Sequence, residues 1–204
     1  MRTVALAFAL LASSALPGIA SDPQGRFAIE GGGLQTCDAF LDSAQWRTGD
    51  LGGYGGWIEG YLTATSRHVD GIYDLTPWQT TESLLGLMRS VCRQMPGDTR
   101  FADALAELVA LLRPQALDEE SEVILIDVDE ATTLPVYVTV LDRVGAALRD
   151  RGHAVSALPG HFGEDTRAAL TLVQREAGLA ETGVPDQRTL FVLLLDATPV
   201  DVAQ

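Results

Sequence analysis

Two eleven-residue segments near the C-terminus of this chain share one spelling. GHFGEDTRAAL starts at Gly160 and GVPDQRTLFVL at Gly183, and both read G-x5-T-x3-L. The shared positions are Gly160, Thr166 and Leu170 in one copy and Gly183, Thr189 and Leu193 in the other. A turn glycine, a polar helix start and an apolar residue one turn in describe a turn–helix unit. A helix spelled VTVLDRVGAALRDRG precedes the two units and ends at Gly152. Residues 136–195 therefore read as a compact three-helix domain. The first copy holds two adjacent acids, Glu164 and Asp165, which a hydrolase would use as acid and base. Neighbouring residues on a helix point about 100° apart, whereas paired catalytic carboxylates face one bond across roughly 5–9 Å. The second copy also places an acid, Asp186, at its helix start. Acids in a first turn complement the helix dipole by about 0.3–1 kcal/mol each. The pair reads as a helix-start device.

The N-terminus has a different character. Arg2 precedes the apolar run VALAFALLA, and PGIA supplies small residues at Gly18 and Ala20. This pattern is expected of a secretory signal peptide over residues 1–20, too short to anchor in a bilayer. Export to the periplasm makes the two cysteines, Cys37 and Cys92, expected partners in a disulfide. Such a loop removes about 4 kcal/mol of denatured-state entropy in the chain-entropy model. Two cysteines cannot hold a structural zinc alone, and His68, His153 and His161 form no ligand-like spacing. No metal or cofactor is expected. The 204 residues carry 14 basic side chains, all arginine, against 28 acidic ones, a net charge of −14. Nucleic acid needs a basic patch that is not visible here. No later apolar run reaches membrane-spanning length, so the exported chain is expected not to insert into a membrane.

Before the C-terminal domain the pattern is helical again. Residues 21–33, SDPQGRFAIEGGG, read as a flexible lead-in, and TCDAFLDSA starts a helix with Thr36 as cap. RTGDLGGYGG reads as a glycine-rich turn. WIEGYLTATSRH then spaces Trp57 and Tyr61, and Ile58 and Leu62, at i,i+4. VDGIYDLTPWQ reads as a loop. Leu84, Met88, Val91, Cys92 and Met95 share one face of the next helix. The last helix, capped by Asp98 or Thr99, repeats Phe101, Leu105, Leu108 and Leu112 and stops at Pro114. Residues 34–113 thus predict a bundle of about four helices whose modest core benefits from a staple. Residues 114–135 are expected to be an acidic linker with some local order, in which VILIDV is a candidate isolated strand or an extended segment packed on a neighbour. Asp127 and Asp129 in it read as solvated. The fold class is all-α: a disulfide-stapled bundle, a linker and a three-helix domain.

Two resemblances refine this. Gly160-His161-Phe162-Gly163, Thr166, Ala169-Leu170, Gln174, Gly178-Leu179, Thr182-Gly183, Asp186 and Thr189-Leu190 resemble the peptidoglycan-binding-like domain attached to many bacterial wall hydrolases. Pro159 and Val173 depart from that pattern, where the family often has Asp and Phe. TCDAFL, the Trp57-Gly60-Tyr61 helix and Cys92 with Pro96 four residues on are similar to HdeA/HdeB-type periplasmic proteins, which are small, helical and one-disulfide. These resemblances imply a non-enzymatic exported protein. Its C-terminal domain would bind peptidoglycan through His161, Phe162, Arg167 and Gln174, and its N-terminal bundle would hold a periplasmic protein partner or client. An acid-stress chaperone or immunity-type binder is the alternative, and a wall hydrolase or its accessory the third reading. No nucleophile motif or Cys/His pair supports the third. The aromatic set Tyr54, Trp57 and Tyr61 is expected in the core in preference to a binding surface.

Overall fold

A computed structural model describes residues 22, 24, 26–43 and 49–195. The expected signal peptide lies outside the described residues. Among those described, seven α-helices and one two-stranded antiparallel sheet form two apolar cores. The chain is helical, as expected.

The first core is built by α1 (Cys37–Ser43), α2 (Gly49–His68), α3 (Thr81–Gln94) and α4 (Phe101–Leu112). Phe40, Tyr54 and Phe101 meet with ring centroids 4.8–4.9 Å apart, so Tyr54 belongs to the core. Leu84, Met88 and Cys92 from α3 and the four expected residues of α4 are buried beside them. The Cys37–Cys92 disulfide joins α1 to α3. Thr36 caps α1, its hydroxyl accepting from the Ala39 N–H at 3.2 Å, and Thr80 caps α3 in the same way through the Ser83 N–H at 3.3 Å.

Three expectations in this block are corrected. The glycine-rich stretch is helical, because α2 begins at Gly49. Tyr54, Ile58 and Leu62 recur at i,i+4 and are all buried, and this packing outweighs the cost of about 1 kcal/mol per helical glycine. The lead-in is docked where it is described. The Trp57 indole N–H donates to the Glu30 carbonyl at 2.9 Å, and a Cβ on Gly33 would stand 2.2 Å from the Trp57 ring. Finally, α4 has Arg100 as its N-cap residue, with no side-chain cap. Residues 97–101 are engaged instead with the start of α1: the Thr99 carbonyl accepts from the Cys37 N–H at 2.8 Å, and the Phe101 N–H donates to the Gln35 carbonyl at 2.7 Å.

The stretch expected to be a linker is a hairpin. Strand β1 (Val123–Asp127) pairs antiparallel with β2 (Thr133–Tyr137), with Ile124 opposite Val136 and Ile126 opposite Leu134. Ile126 and Val136 are buried, while Val123 and Leu125 are exposed. The strand is therefore half-buried and not isolated, and its inner face closes the second core over α5 (Val138–Asp150), α6 (Glu164–Glu176) and α7 (Gln187–Leu194). The two cores touch. Trp78, from the loop between α2 and α3, is buried in the second core against Phe191, with ring centroids 5.2 Å apart. Leu87 and Leu195 pack on both cores. Arg143 of α5 donates to the carbonyls of Gln115 and Ala116, the latter at 2.9 Å, which fastens the chain crossing between the two blocks.

Candidate functional site

The repeated turn–helix unit folds alike in both copies. Gly160 and Gly183 adopt φ of +64° and +65°, a left-handed conformation that glycine reaches without strain. Three residues on, Gly163 and Asp186 are the N-cap residues of α6 and α7. Thr166 and Thr189 are buried, as are Leu170 and Leu193. Asp186 accepts from the Thr189 N–H at 3.0 Å, a side-chain cap. The first copy has glycine at that position and uses Asp165 in a different way.

Asp165 organises the turn that precedes α6. Its carboxylate accepts from the Ser156 and Thr166 N–H groups at 2.8 Å each and contacts His161 Nε2 at 2.9 Å. The His161 hydrogen bond first, and then the backbone donors, hold the Asp165 pKa down at about 2. A Cβ on Gly163 would lie 2.8 Å from His161 Nε2 and 3.0 Å from Asp165 Oδ1, so glycine leaves room for this contact. Asp165 is thus occupied in holding a loop, in keeping with the helix-start reading.

Three of the four expected ligand-binding residues come together here. Arg167 lays its guanidinium 4.7 Å above the centroid of the Phe162 ring and donates to the Asp127 carbonyl at 2.6 Å, tying α6 to the tip of the hairpin. His161 stands beside them, about a third exposed. Phe162 packs on the second core. Gln174 does not join the group and is corrected to a structural residue. It is fully buried. Its carbonyl accepts from the Gly183 N–H at 2.8 Å, and its amide nitrogen lies within 3.0 Å of Thr182 Oγ1, the Val184 carbonyl and Thr189 Oγ1. It joins the two repeat copies from inside.

A larger concavity opens elsewhere, at the start of α7. It encloses about 420 Å³, within the range of small-ligand pockets. Leu179, Ala180, Pro185 and Arg188 line one side. Leu134, Pro135 and Val136 of β2 line another, and Pro77 and Trp78 of the loop before α3 close it. Gln187 bridges the junction, its amide donating to the Trp78 carbonyl and its side-chain oxygen accepting from the Thr80 N–H at 3.2 Å. The G-L and G-x-P-D segments signal the α7 side in the sequence. Nothing local marks Trp78 or Leu134 as their neighbours. Elsewhere, among the described residues, no three His, Cys, Asp or Glu side chains come together in a metal-binding arrangement, and no helix is long and apolar enough to cross a membrane.

Comparison with known families places this geometry. Residues 144–193 match the family model described as a putative peptidoglycan binding domain. The match supports a peptidoglycan-binding-like domain in the C-terminal block. It runs from within α5 to within α7 and contains both copies of the turn–helix unit, while the N-terminal bundle and the hairpin lie outside it. Comparison with curated proteins and with solved structures gave no match.

Proposed function

We propose that this is a non-enzymatic, exported, periplasmic protein that binds peptidoglycan through its C-terminal domain and holds a partner or client protein on its N-terminal bundle. The carrying observation is the family match over 144–193, whose repeated units are intact in the fold. The chain is strongly acidic and peptidoglycan carries carboxylates, so bulk attraction contributes nothing to binding. Recognition has to come from shape and local hydrogen bonds. The non-enzymatic part rests on how the reactive groups are used. Both cysteines are spent in the disulfide, so neither is a free thiolate nucleophile. The partner-holding part is supported by a second cleft of about 330 Å³ between the lead-in, α2 and α4, where Phe27, Trp57 and Tyr61 present apolar surface. The resemblance of this bundle to HdeA/HdeB-type proteins points the same way.

Co-sedimentation of the mature full-length chain with purified sacculi tests wall binding. The protein is expected in the pellet, and recovery in the supernatant would refute the reading. The full chain is required because Trp78 and the hairpin complete the second core. Labelled sacculi incubated with the protein should release no soluble fragments. Crosslinking in living cells should capture a periplasmic protein on the α2–α4 face.

A further inference from the structure

The 420 Å³ groove at the start of α7 is a composite of three separate chain segments, and only one of them lies within the matched family region. We infer that this groove is a subsite for the peptide stem of peptidoglycan, with small apolar side chains seated between Trp78, Leu134 and Leu179 and a stem carboxylate held by Arg188. This rests on the wall-binding reading and gives it a location.

Two observations carry the inference. The first is the lining. Proline and aliphatic side chains from the loop before α3, from β2 and from the α6–α7 connection form an apolar trough. Thr80, Asp186 and Gln187 add a few polar groups at its edge. An apolar trough with few polar groups suits the methyl groups of a short alanine-containing peptide better than the hydroxyl-rich face of a sugar. The second is charge. Every other arginine between residues 113 and 195 is engaged with the protein. Arg113 and Arg143 bond backbone carbonyls, as do Arg149 and Arg151. Arg167 bonds the Asp127 carbonyl, and Arg175 pairs with Glu181. Arg188, exposed at the lip of the trough, makes no hydrogen bond or ion pair among the described residues. In an acidic chain an uncommitted guanidinium beside an apolar trough is complementary to a ligand that is apolar along its length and carries a carboxylate.

The α6 turn is a weaker seat for such a ligand. There the Arg167 guanidinium and the Phe162 ring face are used within the protein, and His161 is held by Asp165. The groove leaves its cation free. It also explains why a wall-binding segment would be built against Trp78 of the N-terminal bundle, since without that loop one wall of the trough is missing.

The test titrates the mature full-length chain with two probes, a disaccharide–tetrapeptide muropeptide and a peptide-free glycan chain, by calorimetry. Binding of the muropeptide and not of the bare glycan is expected. Arg188→Glu should weaken muropeptide binding about tenfold or more, the worth of one charge-assisted hydrogen bond. Ala180→Trp, which fills the trough from an exposed position, should abolish it. Arg93→Glu makes the same charge change at an exposed position of α3 outside the trough and should bind as the wild type does. Circular dichroism checks that each variant is folded. Wild-type affinity in both Arg188→Glu and Ala180→Trp, or equal binding of the bare glycan, would overturn the groove assignment while sacculus binding by the chain stands. An all-L acidic peptide binding as tightly as the muropeptide would also overturn it, in favour of a protein ligand. Failure of the chain to sediment with intact sacculi would remove the wall-binding reading itself.

Discussion

Replacing Gln174 with alanine should destabilise the C-terminal core without touching a ligand. In the native protein the side chain is fully buried, with Gly183 N–H at 2.8 Å and the Val184 carbonyl at 3.0 Å as its backbone partners. Its hydroxyl neighbours, Thr182 and Thr189, each keep a second bond to Asp186 at 2.9 and 2.8 Å. The Val184 carbonyl likewise keeps the Asp186 N–H at 2.9 Å, so the loss falls on the Gly183 N–H. An unsatisfied buried polar group costs about 1–3 kcal/mol, so the orphaned Gly183 N–H costs roughly 2 kcal/mol. In a chain of this size that lowers the melting temperature by about 4–8 °C. Thermal unfolding of the mature protein followed by circular dichroism reads the shift. Sacculus co-sedimentation at 10 °C should remain near the wild-type level, because the variant is still folded there. A melting temperature within about 2 °C of wild type would refute the structural role. If wall binding were lost at the same time, Gln174 would be a ligand contact after all. Gln174→Glu is a useful companion: it preserves the acceptor for Gly183 N–H but removes the donor to Val184. It should be as damaging at neutral pH and partly rescued on acidification, when the carboxyl regains a proton to donate.

Other consequences are open to direct measurement. Reducing the Cys37–Cys92 bond, which closes a loop of sequence separation 55, should cost about 4 kcal/mol of stability in the chain-entropy model, read as a lower urea midpoint in the presence of reductant. Asp165 has a folded pKa of about 2 against an ordinary value of 3.8. Its contribution is therefore complete above the ordinary value and disappears as pH falls through 3.8 towards 2. Stability measured across that window should fall, and Asp165→Asn should flatten the slope. Trp78→Ala should cost about 3–5 kcal/mol and, although it lies between α2 and α3, should loosen the hairpin and α7. Hydrogen exchange resolved by segment would show this, and unchanged protection in residues 123–137 and 187–194 would refute a shared core.

The sites that sequence reasoning located best are those governed by local rules. Gly160 and Gly183 share a left-handed turn because only the near neighbours of a glycine set its backbone, and the polar helix starts at Thr166 and Thr189 follow the same local logic. The helix faces of α3 and α4 were legible because a side chain's position on a helix depends on spacing alone. Gln174 shows where this stops. Its place in the family-like pattern marks it as important, but the pattern cannot distinguish a buried amide serving the backbone from an exposed one serving a ligand. That depends on which surfaces meet after folding. His161, Phe162 and Arg167 are neighbours because they lie within one turn and one helical start, yet the use of Arg167 by Asp127 involves a contact forty residues away.

By itself, then, the sequence determined the helical character, the pairing of its two cysteines, the twofold turn–helix unit and the acidic surface. Each follows from composition or from spacings of a few residues. Tertiary structure alone decided that a glycine-rich stretch is helical, that the presumed linker closes a core, and that Trp78 crosses from one bundle into the other. In all three, burial of apolar area against a distant partner outweighs a local preference worth about 1 kcal/mol per residue. The groove at α7 has the same origin. Its three walls are remote in the chain, and they form one site only because Trp78 and Val136 are drawn into the same core as Phe191.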